Sequence, residues 1–320
     1  VLELENGSVT KLTEPNLNSN IGSVINWFAD SENMLVKMIS NNRKSLIDTN
    51  QIVPDGPTIS TNFGEKAQNR TYQDLLKNKF DEHNFEQLST SAIFKVSIDG
   101  SVKKWMDDGM YRTISFSPNG EYVMISQINK PFSYLVTYSR FPTETNVYSK
   151  DGNFISNLQN VPLIEELPKG FMSVRTGKRS FSWRPDKGAS LTYVTALDSG
   201  DPSKKVDFRD EVYELNYPFI GQGKFILKTI NRFSGIDWGT KDMAIAYDTW
   251  WNTRNRKSYV FNPSNPNIKP KIISDRNYQD IYSDPGVFLR SRNEFNKSVL
   301  KMHYGNIFLR GQGFSPNGQF

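Results

Sequence analysis

A hairpin written over Ile114-Ser-Phe-Ser-Pro-Asn-Gly-Glu-Tyr-Val-Met-Ile-Ser-Gln-Ile128 constrains this chain more than any other stretch, because its pattern returns along the whole length. Ile114 and Phe116 alternate with polar neighbours, as a half-buried strand requires. Pro118-Asn119-Gly120 supplies a turn: proline presets φ, and Asn-Gly tolerates positive φ. Tyr122-Val-Met-Ile125 then reads as a strand buried on both faces.

The same order of residues recurs at Ile25–Ile39, Phe181–Val194 and Ile236–Tyr247, and its first half closes the chain at Gly313–Phe320. Each copy places Trp or Phe before a turn rich in Asp, Asn, Gly or Pro. A second hairpin pattern follows each first one: Phe94–Val102, Val147–Ile155, and Tyr259–Pro263 leading to Lys271–Ile273. Val212–Leu215 is a looser copy, and Leu2–Val9 opens the chain on this half. Two hairpins per unit make four short antiparallel strands, the signature of a β-propeller blade. A β-sandwich could also be built from serial hairpins, but the strict alternation of two hairpin types favours the propeller. The expected fold class is therefore all-β, a β-propeller of four-stranded antiparallel blades. Successive units are spaced more widely than the ~40–45 residues of a compact blade, so long loops are expected.

Composition narrows the function classes. The net charge of +5 comes from 39 basic residues spread among 34 acidic ones, whereas a nucleic-acid footprint would be clustered. No nucleic-acid partner is expected. No apolar run approaches the ~18 residues of a membrane span. Cysteine is absent, which removes disulfides, thiolate metal sites and a cysteine nucleophile. Val1 falls within a strand pair, so a natural N-terminus is expected further upstream.

Residues 41–91 interrupt the first blade between its second and third strands. From Thr71 the period changes: Tyr72, Leu75, Leu76, Lys79 and Phe80 lie at helical spacing. Thr71, with Asp74 three residues on, reads as an N-cap, so a helical insertion is expected over about 66–90, with Thr71 to about Leu88 largely helical. A second short helix would hold Phe85 and Leu88. A search for catalysis finds no G-x-S-x-G elbow, Walker loop or H-E-x-x-H. The two histidines, His83 and His303, sit in a charged helical stretch and near a late strand, and neither has a triad context. Glu165-Glu166 and Asp107-Asp108 point to opposite sides of an extended segment. The expectation is of no catalytic residue, no metal and no cofactor.

Several loop motifs are more specific than the blades. They are Lys66–Leu76, Lys130-Pro-Phe-Ser-Tyr134, Arg140–Thr145, Pro162–Phe171, Gly177–Arg184, Ala196–Pro202, Asn231–Gly235, Trp250-Trp-Asn-Thr-Arg254 and Asp275–Asp280. On these, residues 60 to 320 resemble the N-terminal propeller of the prolyl oligopeptidase family of serine peptidases. The glutamyl endopeptidase-like branch, of Bacteroidetes-type and plant-chloroplast proteins, is the most similar. The resemblance implies a seven- or eight-bladed propeller in the parent and a C-terminal α/β-hydrolase domain beyond residue 320 with a Ser-Asp-His site. It implies a substrate-gating role, peptide substrates, a partner in that hydrolase domain, and a periplasmic or secreted address. No family catalytic residue maps onto this stretch. A preference for acidic side chains would call for guanidinium groups, and Arg175, Lys178, Arg179 and Arg232, ahead of first strands, are the candidate substrate-binding residues. A stand-alone propeller that binds a protein or a glycan is the competing reading.

Overall fold

A computed structural model describes residues 1–48, 56, 64, 72–315, 318 and 319. The chain is all-β, built of four-stranded antiparallel blades, and it clusters into two compact units. One comprises Val1–Phe116 with Gly120–Glu166, the other Ser117–Asn119 with Leu167–Phe320.

In the first unit, β1 (Ile25–Trp27), β2 (Asn33–Ile39), β3 (Ser91–Ser97) and β4 (Val102–Phe116) form one blade, and β4 with β5 (Tyr122–Ile128), β6 (Thr143–Ser149) and β7 (Phe154–Val161) forms the next. The long β4 serves both. Val102 to Gly109 pair with β3, and Met110 to Phe116 pair with β5. The outer strand of one blade thus runs directly into the first strand of its successor. In the second unit, β8 (Arg179–Trp183), β9 (Ser190–Ala196), β10 (Asp210–Asn216) and β11 (Lys224–Thr229) make a third blade. A fourth consists of β12 (Arg232–Thr240), β13 (Met243–Trp250), β14 (Asn255–Phe261) and β15 (Lys271–Asn277). Shorter hairpins follow, among them Arg290–Arg292 with Ser298–Leu300 and Phe314–Ser315 with Gly318–Gln319.

The aromatic residues that mark the repeat occupy matching positions. Trp27 pairs with Met34, Phe116 with Val123, Trp183 with Leu191 and Trp238 with Ala244, each near the end of a first strand. The second strands are the most buried, as their unbroken apolar runs require. Leu35, Val123, Leu191, Ala244 and Ile245 are wholly inaccessible to solvent. The second hairpins also match: Gly100 and Gly152 adopt φ of 90° and 91° in turns closed by Ser97 N–H to Ser101 O and by Ser149 N–H to Asn153 O. Only glycine holds that conformation without strain.

The third and fourth blades are joined by a buried arginine. Arg184 follows Trp183 and stacks 4.0 Å from the Trp238 ring. It pairs with Asp186 at 2.6 Å and lies 3.0 Å from Glu214 of β10. Glu214 also accepts from Ser190 Oγ at 2.7 Å and pairs with Lys187. A buried guanidinium is tolerable only with such carboxylate partners.

The insertion differs from its expectation. Among the described residues the insertion has one helix, α1 (Lys79–Ser89), which carries both Phe85 and Leu88. Tyr72, Leu75 and Leu76 precede it in non-helical backbone, and Asp74 has a left-handed φ of 56°. Thr71 lies outside the described residues. The N-cap is Asn78, whose Oδ1 accepts from the N–H groups of Phe80 and Asp81, each at 2.9 Å. Asn is among the strongest capping residues, and Asp81 and Glu82 add favourable charge to the first turn. The Lys130–Tyr134 motif then clamps the helix. Lys130 pairs with Glu86 at 2.8 Å, Tyr134 Oη donates to Glu82 at 2.6 Å, and Phe132 meets Phe85 edge-on at 5.1 Å. Phe141 closes the cluster, its ring 5.7 Å from that of Phe85.

Phe85→Ala is therefore expected to loosen α1 selectively. The loss should fall below the ~3–5 kcal/mol of a fully buried phenylalanine, because Phe85 is half-buried. Hydrogen exchange should quicken in α1 and leave β9 to β15 unchanged; unaltered exchange in α1 would refute the clamp.

Candidate functional site

Three charged residues open strands of the third and fourth blades: Arg179 opens β8, Asp210 opens β10 and Arg232 opens β12. Antiparallel register brings their ends together, Arg179 opposite Val194 and Asp210 opposite Ala196 and Thr229. The loop between β9 and β10 adds Asp198 and Arg209. Asp198 and Asp210 are fully buried, and the side chain of Arg232 is 4% exposed.

Arg232 uses its guanidinium in several directions at once. Nε donates to Met172 O at 2.8 Å, Nη1 to Asp210 Oδ1 at 3.1 Å and Nη2 to Asp198 Oδ2 at 2.7 Å. Asp210 Oδ2 accepts the Phe233 N–H at 2.8 Å, and Asp198 Oδ1 accepts that of Gly200 at 3.0 Å. Arg209 Nη1 donates to Asp198 Oδ2 at 2.8 Å while its guanidinium stacks 3.9 Å from the Trp250 ring. Arg179 Nη2 reaches Asp210 Oδ1 at 2.5 Å as an ion pair, and its Nε is buried without a hydrogen-bond partner among the described residues. Three guanidinium groups thus surround two carboxylates, leaving the cluster with excess positive charge.

The cluster also holds the preceding segment. Val174 N–H donates to Gly200 O at 3.1 Å. Gly200 has a φ of 76°, and a Cβ there would stand 1.9 Å from Val174 O, so no larger residue fits without moving the backbone. Arg175 turns back on its own segment and donates to Thr176 O at 3.0 Å and to Lys178 O. Burial, and then the neighbouring Arg179 charge, lowers the pKa of Arg175. Lys178 lies apart from the cluster: it donates to Gly221 O at 2.5 Å and sits 5.0 Å from the Tyr193 ring, and burial lowers its pKa too. Of the four candidates, then, Arg179 and Arg232 join one ionic cluster, Arg175 sits beside it, and Lys178 is elsewhere.

A polar chain runs on from the next residue. Asn231 gives its N–H and Nδ2 to the buried Asp248 at 2.8 and 3.0 Å, and Nδ2 also reaches Asn255 Oδ1 at 2.9 Å. Asn255 Nδ2 then donates to Asp275 at 2.7 Å. Burial raises the Asp248 carboxyl pKa despite the hydrogen bonds from Tyr259 and Asn231. Arg232 and Asp198 thereby join Asn231–Gly235 to Ala196–Pro202 directly, Asn255 links Asn231 to Asp275, and Arg209 carries the ring of Trp250. Sequence reading did not name Asp198, Asp210 or Arg209 as site residues; Asp198 lay within the distinctive Ala196–Pro202 motif, and the signal for the other two was a charged pair at the start of β10.

Outside this cluster stands an exposed aromatic ledge. Phe171 is 80% exposed and Trp251 43% exposed, and their rings lie 5.5 Å apart. Arg254 stacks 3.8 Å from the Trp251 ring and donates to Trp251 O at 2.9 Å. The two histidines lie elsewhere: His83 contacts Ser45 O at 3.0 Å, and His303 packs on Tyr304. Among the described residues no group of three or more His, Cys, Asp or Glu could hold a metal ion. Among them, too, no helix is long and apolar enough to cross a membrane.

Two outcomes follow from the charges. Arg232→Ala would leave the buried Asp198 and Asp210 with one guanidinium each, from Arg209 and Arg179, and should cost ~3 kcal/mol in chemical denaturation, the lower end for a broken buried pair; a loss under ~1 kcal/mol would mean that the cluster is solvated. Glu214 is opposed by burial, but Lys187, Ser190 and Arg184 outweigh that and hold its carboxyl below the usual glutamate range. A lowered carboxyl stabilises the fold above its unfolded value of about 4.3 and loses that contribution as pH falls through the folded value. Glu214→Gln should therefore be less stable at pH 7 and lose less stability than the parent on acidification from pH 5 to pH 3, as read by thermal unfolding. Parallel pH curves would refute this.

No family model matches the chain. It is similar to a probable chloroplastic glutamyl endopeptidase of Oryza sativa subsp. japonica, 39% identical over 274 residues, covering 83% of this chain and 29% of that protein. It is also similar to a protein of the same description from Arabidopsis thaliana, 33% identical over 298 residues, covering 90% of this chain and 31% of that protein. The chain thus spans about three-tenths of the length of these curated relatives. Among solved structures it is similar to the β-propeller domain of the trilobed protease from Pyrococcus furiosus, with a TM-score of 0.37 and 10% identity, covering 78% of this chain and 57% of that one.

Proposed function

We propose that this chain is the propeller part of a serine-type endopeptidase of the glutamyl endopeptidase kind. It acts as a non-catalytic screen for a C-terminal α/β-hydrolase domain that carries a Ser-Asp-His site. The observation that carries the reading is the 39% identity over 274 residues with the rice protein. The geometry fits it: Gly177–Arg184, Ala196–Pro202 and Asn231–Gly235 each give a residue to one arginine-rich cluster.

A propeller works in such an enzyme by exclusion. Blades of rigid, buried strands admit a narrow peptide and refuse a folded protein. Selection among peptides then rests on differential binding of their side chains. Arg232 enters this as a positioning residue, since its donors are committed to Asp198, Asp210 and Met172 O. Arg175, Lys178 and Arg179 supply the positive potential that an acidic peptide would meet. A periplasmic or secreted address belongs to the same proposal, and a signal segment in the full reading frame would support it.

The test uses the full-length protein. It should cleave short Glu-containing peptides, react with a serine-directed fluorophosphonate, and leave a folded protein bearing the same sequence intact until that protein is unfolded. The 320-residue chain alone should turn over none of these. Equal kcat/KM on folded and unfolded substrate would overturn the screening role, and fluorophosphonate-sensitive turnover by the isolated chain would overturn its non-catalytic status.

A further inference from the structure

The geometry points to a peptide-binding subsite on the ledge of Phe171, Trp251 and Arg254, taking an extended segment with an acidic side chain. This rests on the peptidase reading and names a place on the chain where substrate would be held, in residues that the four candidate cations did not include.

The ledge is built rather than incidental. Trp250 and Trp251 end β13 and begin its turn, so their side chains leave the backbone on opposite sides. Trp250 turns inward beneath Arg209, at 3.9 Å. Trp251 turns outward and carries the Arg254 guanidinium on its face. Arg254 itself holds a left-handed φ of 54°, and its carbonyl accepts the Tyr278 N–H at 2.8 Å. On the other side, Phe171 precedes Met172, whose carbonyl is held by the buried Arg232. The backbone beside Phe171 is thus held by the buried Arg232, and Trp251 follows a residue whose ring packs on Arg209.

Exposed aromatic rings on a fixed backbone offer contact area at little cost in side-chain entropy. The charge decides the occupant. The segment 167–179 carries Lys169, Arg175, Lys178 and Arg179 and no acidic residue. Beneath the ledge, three guanidinium groups face two carboxylates. Arg254 makes no ion pair among the described residues. A planar guanidinium held over an indole has more donors than its one bond to the Trp251 carbonyl uses, and it suits a carboxylate of a passing peptide.

The 320-residue chain can be tested directly. A fluorescein-labelled peptide with several Glu residues and one aromatic residue, and its Gln counterpart, are titrated with the chain at low salt and followed by anisotropy. The Glu peptide should bind about tenfold more tightly or better, as expected for a hydrogen bond to a charged group. Phe171→Ala and Trp251→Ala should each weaken it several-fold at unchanged thermal stability, since both rings are exposed. Arg254→Gln should erase the Glu-over-Gln preference, and Arg254→Lys should restore only part of it. Equal binding of the two peptides, no binding of either, or three silent variants would overturn the subsite. In the full-length protein the same variants should lower kcat/KM on long acidic peptides and spare a minimal chromogenic substrate. A lowered melting temperature with the Glu preference intact would reassign the ledge to a contact between domains and also overturn the proposal. A full-length protein that cleaves nothing and takes no fluorophosphonate would sink the peptidase reading, while the anisotropy result would stand apart from it.

Discussion

Two aspartates fully shut away from water dictate much of the second unit. Asp198 and Asp210 have no solvent to carry their charge, and a carboxylate in that position is tolerable only with a guanidinium in contact. Arg232 answers both at once, and its remaining donor reaches Met172 O, sixty residues away in sequence. The loop between β9 and β10, the first strand of the fourth blade and the approach to the third are thereby locked to one another. Glycine at 200 follows from the same lock, because the Val174 carbonyl comes too close for a side chain.

The two units solve the same burial problem with different chemistry. The second unit meets inner carboxylates such as Asp198, Asp210 and Glu214 with arginines. The first unit buries Lys37 in the middle of β2, 2% exposed, with the carbonyls of Ile21 and Tyr111 as its acceptors among the described residues. Burial lowers its pKa to about 8, because carbonyl dipoles replace only part of the lost hydration. A paired arginine stays charged at any accessible pH; a lysine on carbonyls does not. The clamp on α1 sits between these cases, with a partly exposed Lys130–Glu86 pair beside a phenylalanine cluster that supplies the burial.

Local chemistry was legible in the sequence, and long-range pairing was not. Each Trp or Phe of the repeat fell at its expected place because period-two alternation and a turn signal are local properties. The start of α1 was misplaced for a local reason too: Tyr72, Leu75 and Leu76 match helical spacing by chance, while Asn78 is the residue that satisfies the first free N–H groups. The fate of Arg232 could not be read, since its partners lie 34 and 22 residues away and any surface arginine looks the same in one dimension. Sequence reasoning named it as a candidate substrate contact; its donors to Asp198, Asp210 and Met172 O lie inside the protein. What it did capture was the neighbourhood, because the loop motifs quoted for their distinctiveness proved to be the ones that meet.

That outcome has a physical reason. A loop that must hold a defined path without ladder hydrogen bonds needs glycine at its tight approaches, carboxylates that accept backbone N–H groups, and cations that reach stray carbonyls. Ala196–Pro202 supplies the glycine and the carboxylates, while Arg232 at the start of β12 and Arg254 after β13 supply the cations, and that composition is what makes these stretches distinctive. A blade strand needs only apolar bulk at alternate positions, so its sequence says little beyond the fold. The side chains left facing outward on such loops, Phe171 and Trp251 above all, are not needed for the path. They can be exchanged with little effect on the cluster below, so the loops of these blades can carry binding specificity while the buried ions carry the shape.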